Sequence, residues 1–279
     1  IAKETEGKTL NTIYIGGGTP TTLEAEQMDR LLKTITENFD LSNVLEFTVE
    51  AGRPDSITEE KLAVIRKYPV TRISINPQTM QQKTLDLVGR NHTVAQTKDA
   101  FYLARKLGFD NINMDLIAGL PGEDASDMED TLRQVEEMHP DSLTIHALAI
   151  KRAARYGQEG RKQDLHSEIS QMIMSAADCA KRIGLQPYYL YRQKYMSGAL
   201  ENVGWAKPGT ENLYNIIMME ELQTVVSVGG GGVTKLVDYA AGRIVRLPNP
   251  KYPHDYLTSL KKVLAQKEEL IRFYGSELP

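Results

Sequence analysis

Three consecutive glycines, Gly16-Gly17-Gly18, followed by Thr19-Pro20-Thr21, stand at the end of a short β-branched and aromatic stretch, Thr12–Gly16. Residues without side chains let a ligand approach the main chain and permit positive φ. The segment is not a dinucleotide fingerprint, because Thr21 stands where a third glycine is needed, and no Gly-Lys-Ser/Thr follows to make a phosphate loop. From the glycines alone, a tight strand-to-helix turn and a ligand cradle are both open readings. Glu50, Gln78 and Asp115 each sit within or just beyond a predicted strand. Asp115 lies inside the apolar run Ile112–Leu120, where a buried carboxylate needs a partner. Arg90 could pair with a carboxylate; alone it is an ordinary solvated charge. Lys151, Arg152 and Arg155 cluster directly after a predicted strand. They would suit a ligand carrying several carboxylates, with a solvated loop equally open. Tyr188, Tyr189, Tyr191 and Tyr195, with Arg192, Lys194 and Trp205, could line a flat apolar ligand or fill a core.

Other reactive residue types offer less. His92, His139, His146, His166 and His254 lack the spacing of a metal site, and His146 is expected inside or at the mouth of the fold. Cys179 is the single cysteine, within a helical stretch, and reads as a small buried hydrophobe. No internal disulfide is possible, so a cytoplasmic setting fits. The net charge of -4 provides no field for nucleic acid or an anionic membrane. No apolar run reaches the ~18–20 residues of a membrane span, and no signal peptide is present. Hydrophobic residues at 41% and charged residues at 25% are those of a globular protein with a sizeable core.

The elements that must position these residues alternate. Strands are predicted at Thr12–Gly16, Val44–Val49, Val70–Ile75, Ile112–Ile117 and Ser142–Ile150. Helices are predicted after Thr21 or Thr22, at Ile57–Lys67, near Lys83–Val88, at Val94–Leu107 and at Asp124–Met138. A strand-helix alternation with steps of about 30 residues implies parallel pairing through right-handed crossovers. Glycines and charges fall just after the strands, at the edge where parallel α/β folds bind ligands. From about Lys151 the rhythm stops: a helix Gln163–Ile183, a tyrosine-rich strand, a loop around Gly204–Asn212, the run Gly229–Gly232 and a final helix near Tyr256–Phe273. The expected architecture is α/β, a partial (β/α)6 TIM-like barrel over residues 1–155 with an α+β extension over 156–279 capping the cavity.

Two eight-residue segments now carry a resemblance. Gly16-Gly17-Gly18-Thr19-Pro20-Thr21-Thr22-Leu23 resembles the GGGTPTxL segment of the oxygen-independent coproporphyrinogen III oxidase group of radical S-adenosylmethionine (SAM) proteins. Asp115-Leu116-Ile117-Ala118-Gly119-Leu120-Pro121-Gly122 resembles that group's D-L-[IM]-x-G-L-P-G. Arg90-Asn91-His92 and Ala206-Lys207-Pro208-Gly209 with Asn212 have counterparts in the same order, so the similarity runs from Ile13 to about Thr234. Ala149–Ala153 and Tyr188–Tyr195 are most similar to its coproporphyrinogen dehydrogenase branch.

The resemblance implies roles. Gly17, Gly18 and Thr19 would hold the methionyl ammonium of SAM. Glu50, Gln78, Arg90 and Asp115 would bind its amino-acid and ribose portions, Arg90 through the carboxylate, with Ile117 and Ala147 near the adenine. A 4Fe–4S cluster would cleave SAM, and the 5′-deoxyadenosyl radical would take hydrogen from a propionate of coproporphyrinogen III, leaving a vinyl group after loss of carbon dioxide. Lys151, Arg152, Arg155 and Arg192 would face this tetracarboxylate. An electron donor such as flavodoxin or ferredoxin is implied. A haem-carrying branch of the same family makes a haem-binding carrier the alternative. Two departures stand out. The cluster motif CxxxCxxC belongs upstream of the glycine turn, and no cysteine precedes it, so the chain as written is expected to be inactive by itself. Asn76-Pro77 also replaces the Gly-x that precedes Gln78 in relatives.

Overall fold

Runs of β-branched and aromatic residues, each stopped by turn formers, build a sheet whose helices follow strand by strand. In the computed structural model, which describes residues 2, 5, 7–148, 162–191 and 202–275, β1 (Thr12–Ile15) is followed by α1 (Ala25–Asn38), and β2 (Glu46–Gly52) by α2 (Glu59–Arg66). β3 (Arg72–Ile75) leads to α3 (Gln82–Leu87) and α4 (Val94–Lys106), β4 (Ile112–Ala118) to α5 (Ala125–Met138), and β5 (Ser142–Ala147) to α6 (Lys162–Arg182). β6 (Gln186–Tyr191) and β7 (Asn202–Ala206) complete a seven-stranded sheet of order β1-β2-β3-β4-β5-β7-β6. Strands β1 to β5 are parallel, and β7 runs antiparallel to both β5 and β6. The result is the expected partial α/β barrel, made of five βα units and an antiparallel pair. Local chemistry sets the helix starts. The Thr58 side chain accepts from Lys61 N at the head of α2, and Thr93 with Gln96 and Asp124 with Asp127 form capping boxes on α4 and α5.

Three expectations need correction. The second strand begins at Glu46, not Val44, because Val44 closes a turn onto Leu41 O after α1. Gly204, Trp205 and Ala206 are not loop but part of β7, where pairing with β5 buries Trp205 and Ala206. Only Lys207 onward turns, held by Lys207 N to Asp141 O and Thr210 Oγ1 to Asp141 O. The last helix is two, α8 (Pro253–Thr258) and α9 (Leu260–Gly275), separated at Ser259. Residues 149 and 150 of the fifth predicted strand lie outside the described residues.

The strands divide their side chains by parity. Phe47, Val49, Ile73, Ile75, Ile112, Met114, Leu116, Leu143 and Ile145 are buried on the helix side, where α4 packs on β3, and α6 on β4 and β5. The other parity is polar: Thr48 and Glu50, Arg72 and Ser74, Asn113 and Asp115, Ser142, Thr144 and His146. These lumen residues hydrogen-bond largely to one another. Arg72 Nη2 donates to Ser142 Oγ at 3.1 Å. Ser142 and Thr144 donate to Asn113 Oδ1 at 3.1 and 3.2 Å. Asn113 Nδ2 in turn donates to Ser74 Oγ at 3.3 Å and Asp115 Oδ1 at 2.7 Å. An ordinary parallel barrel fills this space with branched aliphatics; this one fills it with hydrogen-bonding groups.

Two compact units are present: residues 12–34 with 46–212, which hold the sheet, and Ile1–Asn11, Ile35–Leu45 and Leu213–Pro279. The second contains α7 (Leu213–Glu220), α8, α9 and an antiparallel hairpin of β8 (Val233–Asp238) and β9 (Arg243–Pro248). Leu236, Leu270 and Phe273 form its core. Lys267 Nζ donates to Ser227 O at 2.9 Å and Thr234 Oγ1 at 2.8 Å, fastening the base of the Gly229–Gly232 turn.

Candidate cofactor site

At the C-terminal end of β1 the chain turns through the three glycines. Gly17 has φ +82, a conformation that side chains disfavour. A Cβ on Gly16 would meet Tyr14 Cε1 at 2.2 Å and Glu50 Oε2 at 2.4 Å, whereas one on Gly18 would meet nothing within 4 Å. Glu50, on the lumen face of β2, anchors the turn: its Oε2 accepts from Gly17 N at 3.2 Å and from Tyr14 Oη at 3.1 Å. Behind it, Thr21 Oγ1 donates to Ala51 O at 2.7 Å and meets Ser56 Oγ at 2.6 Å. The open side of Gly17 and Gly18 therefore faces away from all packing.

Burial pushes the Glu50 carboxyl above its ordinary value; the Gly17 and Tyr14 donors and the Arg72 charge oppose this, and Asp115 adds to it. An acid raised on folding contributes stability that is complete below its unfolded value, ~4.3, and lost as pH rises through the folded value. Urea unfolding across pH should show wild type losing stability relative to Glu50→Gln as pH climbs from that point. A pH-independent difference between the two would refute this.

The neighbouring strand ends bring Gln78, Asp115 and Ile117 together. Gln78, at φ 69, bridges to β4: its N donates to Asp115 O and its O accepts from Ile117 N, both at 2.9 Å. Pro77, which departs from the family pattern, leaves this bridge in place, and its carbonyl lies 3.3 Å from the buried His92 Nε2. Asp115 is buried for the most part. Burial works to raise its carboxyl, but His146, Asn113 and Thr144 more than offset that, and the net shift is downward. Asp115 thus stands as a carboxylate on the lumen wall, close enough to Glu50 for each charge to be felt.

Arg90 follows α3, half-buried, with burial and the Arg53 charge lowering its pKa and Asp55 raising it. Arg53 itself is held bidentate by Asp55, at 3.1 and 2.6 Å. Ile117 is on the lumen parity and partly exposed, while Ala147 is on the helix parity, buried, with its N donating to Asn202 Oδ1 at 2.9 Å. Lys151, Arg152, Arg155 and Arg192 lie outside the described residues. Sequence reasoning missed Tyr14, Arg72 and Asn113, all of which line the lumen. Arg72 is fully buried, and among the described residues its Nε has no hydrogen-bond partner.

The family model for the radical SAM superfamily matches residues 1–135, spanning the glycine turn, Glu50, Gln78, Arg90 and Asp115. Residues 1–135 form a radical SAM domain. Over most of its length the chain is similar both to an oxygen-independent coproporphyrinogen-III oxidase-like protein and to heme chaperones. It is 48% identical over 250 residues to the oxygen-independent coproporphyrinogen-III oxidase-like protein HemZ of Bacillus subtilis, covering 88% of this chain and 50% of that protein. It is 30% identical over 269 residues to the heme chaperone HemW of Lactococcus lactis, covering 94% of this chain and 65% of that one. Among solved structures, the Escherichia coli coproporphyrinogen III oxidase HemN, a radical SAM enzyme, superposes with a TM-score of 0.69 at 21% identity, over 91% of this chain and 57% of that one. That likeness concerns the fold. The chain spans about half to two thirds of the length of these relatives.

Radical SAM proteins use SAM and a 4Fe–4S cluster. The lumen fits the first: an open glycine main chain beside two carboxylates suits a ligand bearing an ammonium and hydroxyls. Cluster ligands are a different matter, since residues 1–279 contain one cysteine. Cys179 is buried in α6 with Sγ 3.6 Å from Leu132 O, and burial pushes its thiol up to about 11. Such a thiol is a packing residue, and no cluster site is assigned to the described residues. None of the described helices is long and apolar enough to cross a membrane.

Proposed function

We propose that this chain is the SAM-binding part of an oxygen-independent coproporphyrinogen III dehydrogenase, which oxidatively decarboxylates coproporphyrinogen III to protoporphyrinogen IX. The observation that carries the cofactor half of this reading is Glu50, which ties Gly17 to Tyr14 and leaves the main chain of Gly17, Gly18 and Thr19 open to a methionyl ammonium. The 48% identity to the HemZ protein supports the substrate half. Arg90 would take the SAM carboxylate, Gln78 and Asp115 its polar portions, and Ile117 would flank the adenine, with Ala147 reaching it through its main chain alone, since its side chain is buried on the helix side. When bound, SAM and the cluster would supply a radical that takes one hydrogen atom from a propionate side chain; loss of carbon dioxide together with one electron, passed to a one-electron acceptor, would leave the vinyl group. The protein's share is to orient the cofactor and exclude water. Lys151, Arg152, Arg155 and Arg192 would hold the remaining propionates, and a flavodoxin or ferredoxin would supply electrons.

The 30% identity to the HemW chaperone supports a second reading, a haem carrier without oxidase activity. The full-length protein, reconstituted anaerobically and given SAM, reductant and coproporphyrinogen III, separates the two. Formation of 5′-deoxyadenosine together with protoporphyrinogen is the expected result. Tight haem binding with neither product would establish the carrier instead.

A further inference from the structure

Asp115 has neighbours that nothing in the family motif names, Asn113, Thr144 and His146. Its Oδ1 is occupied by Asn113 Nδ2 at 2.7 Å, and its Oδ2 faces His146 Nε2 at 3.9 Å, across from the next strand of the sheet. On the other side of the imidazole, Nδ1 lies 3.4 Å from Tyr191 Oη, and the two rings meet edge-on at 6.3 Å and 72°. A phenol donates to an imidazole nitrogen that carries no proton. The Asp115 carboxylate beside Nε2 favours the tautomer with its proton there, which leaves Nδ1 to accept from Tyr191. The array has a direction, from Tyr191 through His146 to Asp115.

Tyr191 is itself held. Tyr189 stacks on it with ring planes 2° apart, and Gly204 on β7 makes room for that stack. A Cβ at Gly204 would stand 2.0 Å from Tyr189 Cε1. Both the His146 and Asp115 side chains keep about a fifth to a quarter of their surface open, 24% and 21%.

The geometry points to His146 as the positioning residue for Asp115, with Tyr191 donating to its Nδ1, so that the carboxylate is presented to the ribose hydroxyls of bound SAM. This rests on the SAM-site reading above and extends it to two residues on β5 and β6. Asn113, two residues earlier on β4, donates to one oxygen, and His146 stands beside the other.

Equilibrium binding of SAM to the full-length protein, reconstituted anaerobically, tests this without turnover. His146→Leu is expected to weaken SAM roughly five-fold, the scale of losing a polar neighbour 3.9 Å from the carboxylate. Tyr191→Phe should fall between it and wild type. His146→Gln should restore affinity to within about three-fold, because an amide can donate to Asp115 and accept from Tyr191 at once; a packing role would favour leucine over glutamine. With a SAM analogue lacking both ribose hydroxyls, all four proteins should bind alike. Equal affinity of His146→Leu and wild type for SAM would overturn the inference. So would glutamine performing as poorly as leucine, or a leucine defect that persists with the analogue. If instead Asp115→Asn binds SAM as well as wild type, the assignment of Asp115 to the cofactor fails before His146 is at issue.

Discussion

Gly18→Ala is expected to leave unfolding free energy within about 0.5 kcal/mol of wild type while weakening SAM binding roughly ten-fold. Gly16→Ala should lose both. The contrast follows from what each added methyl meets. At Gly18 there is no atom within 4 Å, so the only group a methyl can offend is a ligand resting on the main chain. At Gly16 the methyl would overlap the Tyr14 ring and the Glu50 carboxylate, 2.2 and 2.4 Å away. One of them must move, and either movement breaks the Tyr14–Glu50–Gly17 bonding that shapes the turn. Overpacking of this kind costs about 1–3 kcal/mol. Urea unfolding and SAM titration of the two variants side by side would measure it. A Gly18→Ala variant with unchanged SAM affinity would remove the glycine turn from the cofactor site.

Asp141→Ala should be the most destabilising single change in the sheet, at about 3–5 kcal/mol, with SAM affinity little altered in the protein that remains folded. Asp141 precedes β5 at the opposite end of the strands from the glycine turn and is 5% exposed. Its carboxylate accepts from Ile112 N at 2.9 Å and pairs with Arg105 Nη1 at 2.6 Å and Lys207 Nζ at 2.9 Å. Alanine would leave the head of β4 without its acceptor and remove the buried carboxylate that Arg105 and Lys207 share. Against a total stability of about 5–15 kcal/mol, that is a large fraction. A loss below 1 kcal/mol in denaturant titration would mean that solvent already screens the cluster.

Much of this was legible in the sequence, because parallel strands announce themselves by composition and the turns between them by glycine, threonine and acidic caps. Glu50, Gln78 and Asp115 were found as polar residues at strand ends, and the structure joins Glu50 to Gly17 and Gln78 to Asp115. The lumen ladder was not found, although its trace was present. Arg72-Ile73-Ser74, Asn113-Met114-Asp115 and Ser142-Leu143-Thr144-Ile145-His146 all alternate polar with apolar. Each run taken alone reads as a half-solvated strand. Only closure of the sheet turns the polar side inward, and closure depends on partners distant in the chain. The antiparallel β7 was missed for a related reason: Gly204 looks like a loop residue until Tyr189 is seen lying over it.

β1 closes one side of the sheet, and among the described residues it pairs only with β2. Its residues Thr12, Ile13, Tyr14 and Ile15 include no lysine or proline and form no bulge, the usual devices that blunt an edge against strand addition. All four are partly exposed. By its composition the outer rail of β1 is suited to accept an added strand, so the four residues that lead into the glycine turn also set how readily this edge of the sheet pairs.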